Sequence, residues 1–232
     1  LALDFPLERQ LRLSLDRPES LRREDFVVSA TNRDAVKLID AWPSWPGGCL
    51  ALIGPEGAGK SHLALSWAAQ VKATVLSAED HDGLSLLSGR PVLYDDADRD
   101  PERRDEMLFH LINMAGETGG GLLLTGRSAP AGWSVGLPDL RSRLNALTVA
   151  QIHEPDDAIL VSMLRKFFRE RNILPAEDIF PYLVRRIERS APRAREIVRR
   201  LDERADAERR PVSRALARQI LETDLAAPDL FD

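Results

Sequence analysis

The chain is poor in cysteine, aromatic residues and uninterrupted apolar runs, and each shortage excludes something. A single cysteine, Cys49, in 232 residues leaves no internal disulfide to form and fits a reducing compartment. No apolar run approaches the ~20 residues of a membrane-spanning helix, and the first residues carry no signal-peptide pattern. The expected location is cytoplasmic, with no membrane partner. The four histidines, His62, His81, His110 and His153, are scattered without ligand spacing, which argues against a histidine-held metal. Positive charge is also short: the formal charge is −5, which argues against a chain built mainly to hold nucleic acid. Between residues 155 and 224 basic side chains outnumber acidic ones, and a solvated, arginine-rich helical face accounts for that.

What remains is an ordinary globular composition, 44% hydrophobic and 30% charged, long enough for one α/β core and a smaller helical piece. Residues 1–24 read as a flexible arm with one short extended segment. From residue 25 apolar runs alternate with helical patterns. Strands are expected at 49–53, 73–77, 91–95, 121–125 and 147–152, with helices at 33–41, 60–71 and 101–115 between them. That alternation predicts an α/β domain over 25–154 with a five-stranded parallel sheet covered on both faces. After His153 the strand patterns stop. Helices at 156–171, 176–189, 192–209 and 212–222 predict a small all-helical lid domain over 155–224, followed by a tail at 225–232.

Gly54-Pro55-Glu56-Gly57-Ala58-Gly59-Lys60-Ser61 matches G-x-x-x-x-G-K-[ST] at every fixed position, between an apolar strand and a helix. In such a loop the glycines let backbone N–H groups turn toward a phosphate, and the helix adds its positive end. Lys60 would reach the β- and γ-phosphates and Ser61 would bind Mg²⁺, so ATP or ADP is the expected ligand. A second acidic element follows at the end of an apolar strand, Val92-Leu93-Tyr94-Asp95-Asp96. Asp95 would hold Mg²⁺ through water, and Asp96 would orient or activate the attacking water.

These residues resemble the DnaA-like clade of AAA+ proteins. The segment 25–33, Asp-Phe-Val-Val-Ser-Ala-Thr-Asn-Arg, is similar to the adenine-side F-V-V-G-x-S-N-R of the replication initiators. Gly57-x-Gly59-Lys60-Ser61-His62-Leu63, the Asp95-Asp96 pair and Leu123-Leu124-Thr125 follow in the family's order. Gly136-Leu137-Pro138-Asp139-Leu140-Arg141-Ser142-Arg143-Leu144 is close to the segment that carries the family's arginine finger. The resemblance covers residues 25–222. It implies a nucleotide site made by Phe26, Val27, Asn32, Pro55, Gly57, Ala58, Gly59, Lys60, Ser61 and His62. It also implies a finger at Arg143 that enters the ATP site of a neighbouring DnaA, with Arg141 as its near decoy.

The chain departs from that pattern in two places. Arg127 stands where the initiators carry an aspartate after T-S, although Thr125 is kept. The lid arginine that contacts phosphate falls near Arg193, but the apolar register of Ala194, Ile197, Val198 and Leu201 puts Pro192 at the matching turn. Arg193 or Arg195 would substitute, or neither. Only residues 78–90 join the second strand to the third, too short for the extra helical insert by which initiators and helicase loaders contact single-stranded DNA. No separate helix-turn-helix domain follows the lid pattern. What remains resembles the DnaA homologues that inactivate the initiator.

In the arm, Gln10-Leu11-Arg12-Leu13-Ser14-Leu15 looks like a Q-L-x-L-x-L sliding-clamp peptide. Gln10 would hydrogen-bond at the pocket rim while Leu11, Leu13 and Leu15 project to one side of an extended chain. A D-L-F triplet near the end, at 229–231, is expected to be a frayed tail. The resemblance therefore implies a clamp-tethered regulator with ADP as its active ligand and little turnover of its own. Its partners would be DnaA, the β sliding clamp and, through the clamp, DNA at the replisome in a bacterial nucleoid. Head-to-tail homodimerisation also fits. A helicase-loader-type ATPase and a non-catalytic adaptor are the competing expectations.

Overall fold

The computed structural model describes residues 21–76, 87–99, 101–118 and 120–226. The proposed clamp peptide Gln10, Leu11, Leu13 and Leu15 and the 229–231 triplet lie outside them.

Five strands, β1 (Cys49–Ile53), β2 (Thr74–Leu76), β3 (Val92–Tyr94), β4 (Leu122–Gly126) and β5 (Thr148–Gln151), form one parallel sheet in the order β2-β3-β4-β1-β5. The three inner strands are buried at every residue, as a parallel sheet with both faces covered requires. The edge strands are half exposed, at Val75 and Val149 among others. Side chains alternate between two cores. Cys49, Ala51, Val92, Tyr94, Leu122 and Leu124 face one, packed by α3 (Pro101–Thr118) and α4 (Pro138–Ala146). Leu50, Leu52, Leu93 and Leu123 face the other, packed by α1 (Arg33–Asp40) and α2 (Lys60–Val71).

Four helices follow: α5 (Asp157–Glu170), α6 (Ile179–Val184), α7 (Ala191–Ala207) and α8 (Arg214–Ala226). They enclose a third core of their own around Leu160, Leu164, Phe168, Ile197 and Leu201. Side-chain caps fix two starts. Asp156 accepts the Ile159 N–H at 2.9 Å, and Ser190 accepts the Arg193 N–H at 3.3 Å. The helix expected at 176–189 is much shorter. After Val184 the N–H groups of Arg186 and Ile187 both turn to the Leu183 carbonyl, which tightens the chain and ends α6. Among the described residues no helix is long and apolar enough to cross a membrane.

Cys49 sits under this sheet, 2% exposed, and burial pushes its thiol up to about 12. At pH 8 roughly one part in ten thousand would be thiolate. Labelling with a disulfide reagent is expected to be negligible in the native protein and to reach one equivalent in guanidinium. Rapid labelling without denaturant would contradict this packing.

Candidate functional site

Between β1 and α2 the loop 54–59 turns through left-handed backbone at Gly57 (φ 72°) and Gly59 (φ 99°), which glycine adopts without strain. Both glycines are also closely covered. A Cβ on Gly59 would lie 3.2 Å from the Phe26 ring. One on Gly57 would lie 2.7 Å from Pro192 Cδ and 2.9 Å from Ser190 Cβ. The start of α7 is thus seated on the loop, and the Ala191 N–H donates to the Gly57 carbonyl at 3.2 Å.

Lys60 opens α2 and is buried, its Nζ donating to the carbonyls of Gly54 (2.9 Å) and Pro55 (3.0 Å). Burial pulls the ammonium below the usual lysine range, while Asp96, Asp98 and Asp95 pull it back up and Arg127 opposes them. A buried cation beside the N-terminal end of a helix favours an anion.

The acidic strand end meets this lysine from the side. Ser61 Oγ donates to Asp95 Oδ1 at 3.5 Å, and Thr125 Oγ1 donates to the same oxygen at 2.5 Å. Thr125, fully buried at the end of β4, also accepts the Asp96 N–H at 2.8 Å. It therefore fixes both carboxylates relative to the sheet. Asp96 takes a left-handed backbone (φ 53°), and its carboxylate lies 3.3 Å from Arg99. A hydroxyl and a carboxylate converging beside Lys60 fit Mg²⁺, which takes oxygen donors and is often completed by phosphates and water. Among the described residues no cluster of three or more His, Cys, Asp or Glu side chains could hold a metal alone. A metal here would depend on bound phosphate.

A cavity of about 670 Å³ opens beside the loop, within the range of small-molecule sites. Gly57, Ala58, Gly59, Lys60, Ser61 and His62 line it on one side, and Phe26, Val27 and Asn32 on another. Phe26 meets the His62 ring edge to face at 5.4 Å. Asn32 is buried and shapes this wall: its amide donates to the Val27 carbonyl and accepts the Ser29 N–H, both at 2.9 Å. Pro55 stays outside the lining and contributes its carbonyl to Lys60.

Arg193 requires a correction. It points away from the cavity and pairs with Glu196 at 2.7 Å, whereas Pro192 and Arg195 line the cavity. Residues three apart share a helix face, and Ala194 and Ile197 turn to the lid core, so Pro192 and Arg195 share the face toward the loop. The far wall comes from α5, with Ser162, Met163, Lys166 and Arg169 among its residues. Sequence reasoning missed that wall. Its only signal is polar Ser162 and Lys166 one turn apart beside an apolar stripe.

Arg141 and Arg143 differ sharply. Arg141 donates to the carbonyls of Trp133 (2.7 Å) and Ala131 (3.1 Å), which ties α4 to the preceding loop. That loop is held further by the Gly136 N–H on Asp105 Oδ2 at 2.6 Å. Arg143 is exposed on the resulting rigid helix, its guanidinium 5.1 Å from the Phe109 ring centroid, and it lines no part of its own chain's cavity.

No protein-family model and no curated protein matches the sequence. Solved structures do. Domain III of the Thermotoga maritima replication initiation protein DnaA aligns with 90% of this chain and 98% of its own, at 20% identity and a TM-score of 0.71. AMPPCP-bound DnaA from Aquifex aeolicus aligns at 18% identity and a TM-score of 0.65, over 78% of this chain and 65% of that one. A Thermotoga maritima RuvB mutant aligns at 16% identity and a TM-score of 0.65, over 89% and 73%. The fold is therefore the α/β AAA+ fold of the kind seen in DnaA domain III.

Proposed function

We propose that this chain is a nucleotide-binding AAA+ protein of DNA replication, and within that class a clamp-tethered regulator of the Hda type. The observation that carries the first statement is the meeting of loop 54–61, Asp95 and the 25–32 segment around one cavity. ADP or ATP would lie with its base between the 25–32 segment and α5 and its phosphates on the loop and Lys60. Ser61 and Asp95 would hold Mg²⁺, which supplies neutralisation of phosphate charge when bound. Thr125 holds the Asp95 carboxylate in place for that, and Asp96 stands ready to orient water.

The regulatory reading rests on Arg143. An arginine outside its own cavity, on a helix anchored by Arg141 and Asp105, suits delivery of a guanidinium to a neighbouring subunit's nucleotide. In that role it stabilises charge developing on the γ-phosphate of ATP bound to DnaA. Gln10, Leu11, Leu13 and Leu15 would hold the protein on the β clamp, so that DNA is reached indirectly and in the cytoplasm. A homodimer formed by the same surface is compatible with this.

The test is hydrolysis of ATP pre-bound to DnaA, with DNA-loaded clamp, on addition of this protein and ADP. Stimulation is expected, with loss of roughly tenfold or more when Gln10 and Leu11 are both changed to alanine, as anchor residues of a short peptide motif. Absence of stimulation by the unaltered chain would reject the regulator and leave the helicase-loader or adaptor readings.

A further inference from the structure

On the flank of the loop away from the cavity, two residues meet that no part of the proposed site uses. Arg127 Nη2 lies 2.8 Å from Glu56 Oε2, so a cation at the end of β4 is paired with an anion inside the phosphate loop. The backbones there are joined as well: the Gly54 N–H donates to the Gly126 carbonyl at 3.3 Å. The Arg127 N–H donates to Asp98 Oδ2 at 2.6 Å, which holds the residue's main chain against the acidic turn. The guanidinium thus sits on the side of the loop where Lys60 meets Asp95, Asp96 and Asp98. Both side chains are at least half exposed, so the pair itself adds little to stability.

We propose that Glu56 and Arg127 form a charge latch that makes this site distinguish a nucleoside triphosphate from a diphosphate. The inference rests on the reading of loop 54–61 as a nucleotide site. Glu56 puts a negative charge inside the loop, where it repels a terminal phosphate. Arg127 neutralises it and, once a third phosphate is present, has a second and more highly charged anion to bind. A diphosphate ends before that point, so it leaves the pair closed. A guanidinium suits both partners, because its planar fork binds carboxylate and phosphate equally well. Without Arg127 the carboxylate stands alone against the triphosphate. Without the Glu56 charge, Arg127 is released to it.

Calorimetric titration with Mg-ADP and with Mg-AMPPCP tests this on the full chain. Arg127→Ala is expected to weaken AMPPCP binding about tenfold more than ADP binding, the scale of one charge-assisted hydrogen bond. Glu56→Gln is expected to shift the ratio the other way, toward AMPPCP. Arg127→Lys is expected to restore much of the ratio, and a thermal melt of each variant reports folding separately. Equal losses for both nucleotides in Arg127→Ala, or an unchanged ratio in Glu56→Gln, overturn the latch while leaving the nucleotide site standing. Binding of neither nucleotide by the unaltered chain overturns the site itself.

Discussion

Changing Arg143 to alanine is expected to cut the stimulation of DnaA-bound ATP hydrolysis by about 10³-fold or more, the scale of an arginine finger acting in trans. Nucleotide affinity of the chain itself is expected to stay unchanged, because Arg143 lines no part of its own cavity. Melting temperature should move little, since the side chain is exposed and its ring contact with Phe109 is made at the surface. Arg143→Lys keeps the charge but loses the planar fork, and is expected to rescue only a small part. Arg141→Ala is the informative neighbour. It removes the donors to the Trp133 and Ala131 carbonyls, so its effect should show in the melt as well as in the assay. Full stimulation by the Arg143→Ala protein would sink the trans role and leave α4 as a docking surface alone.

Gly57→Ala is expected to destabilise the protein by about 2–4 kcal/mol and to weaken nucleotide binding. Part of this is backbone strain, about 1–2 kcal/mol for an L-residue held at positive φ. The remainder is steric. The new methyl group would stand 2.7 Å from Pro192 Cδ and 2.9 Å from Ser190 Cβ, and neither neighbour is the free end of a flexible side chain. Either the loop or the start of α7 must move, which weakens the Ala191 to Gly57 hydrogen bond and carries Arg195 with it. At about 2–4 °C per kcal/mol for a chain of this size, the melting temperature should fall by roughly 5–15 °C. A variant that melts like the parent would mean that α7 does not rest on the loop in solution.

The resident conformation of Lys60 explains why loop, lid and strand ends respond together. Its ammonium is buried and held by the loop's own carbonyls, so an incoming phosphate replaces neutral acceptors with a charged one. The same ammonium feels Asp95, Asp96, Asp98 and Arg127. A change at any of these alters the electrostatic setting of the phosphate site without touching the loop sequence.

Much of this was legible in advance because it depends on local chain chemistry. The fully apolar stretches Cys-Leu-Ala-Leu-Ile and Val-Leu-Tyr have no polar face, so they identify inner strands of a parallel sheet. The register of Leu160, Leu164 and Phe167 marks one buried face of α5 in the same way. Helix ends were less legible, and α6 shows why. Its shortening depends on two N–H groups sharing the Leu183 carbonyl, a turn that composition does not announce.

By itself, then, the sequence determined the parallel α/β order and the glycine pattern of loop 54–59. It also determined which residues of 57–62 and 25–32 could face a phosphate or a base, because these follow from short-range steric and periodic rules. Tertiary structure decided everything that joins distant segments. It decided that Arg195 rather than Arg193 faces the cavity, and that Ser190 and Pro192 cover Gly57. It decided that α5 forms the far wall, and that Arg127 closes on Glu56 across 71 positions of sequence. Those outcomes depend on how the lid helices seat on the loop and how β4 lies beside β1. No local propensity encodes such angles and offsets, which are set by the packing of the three cores.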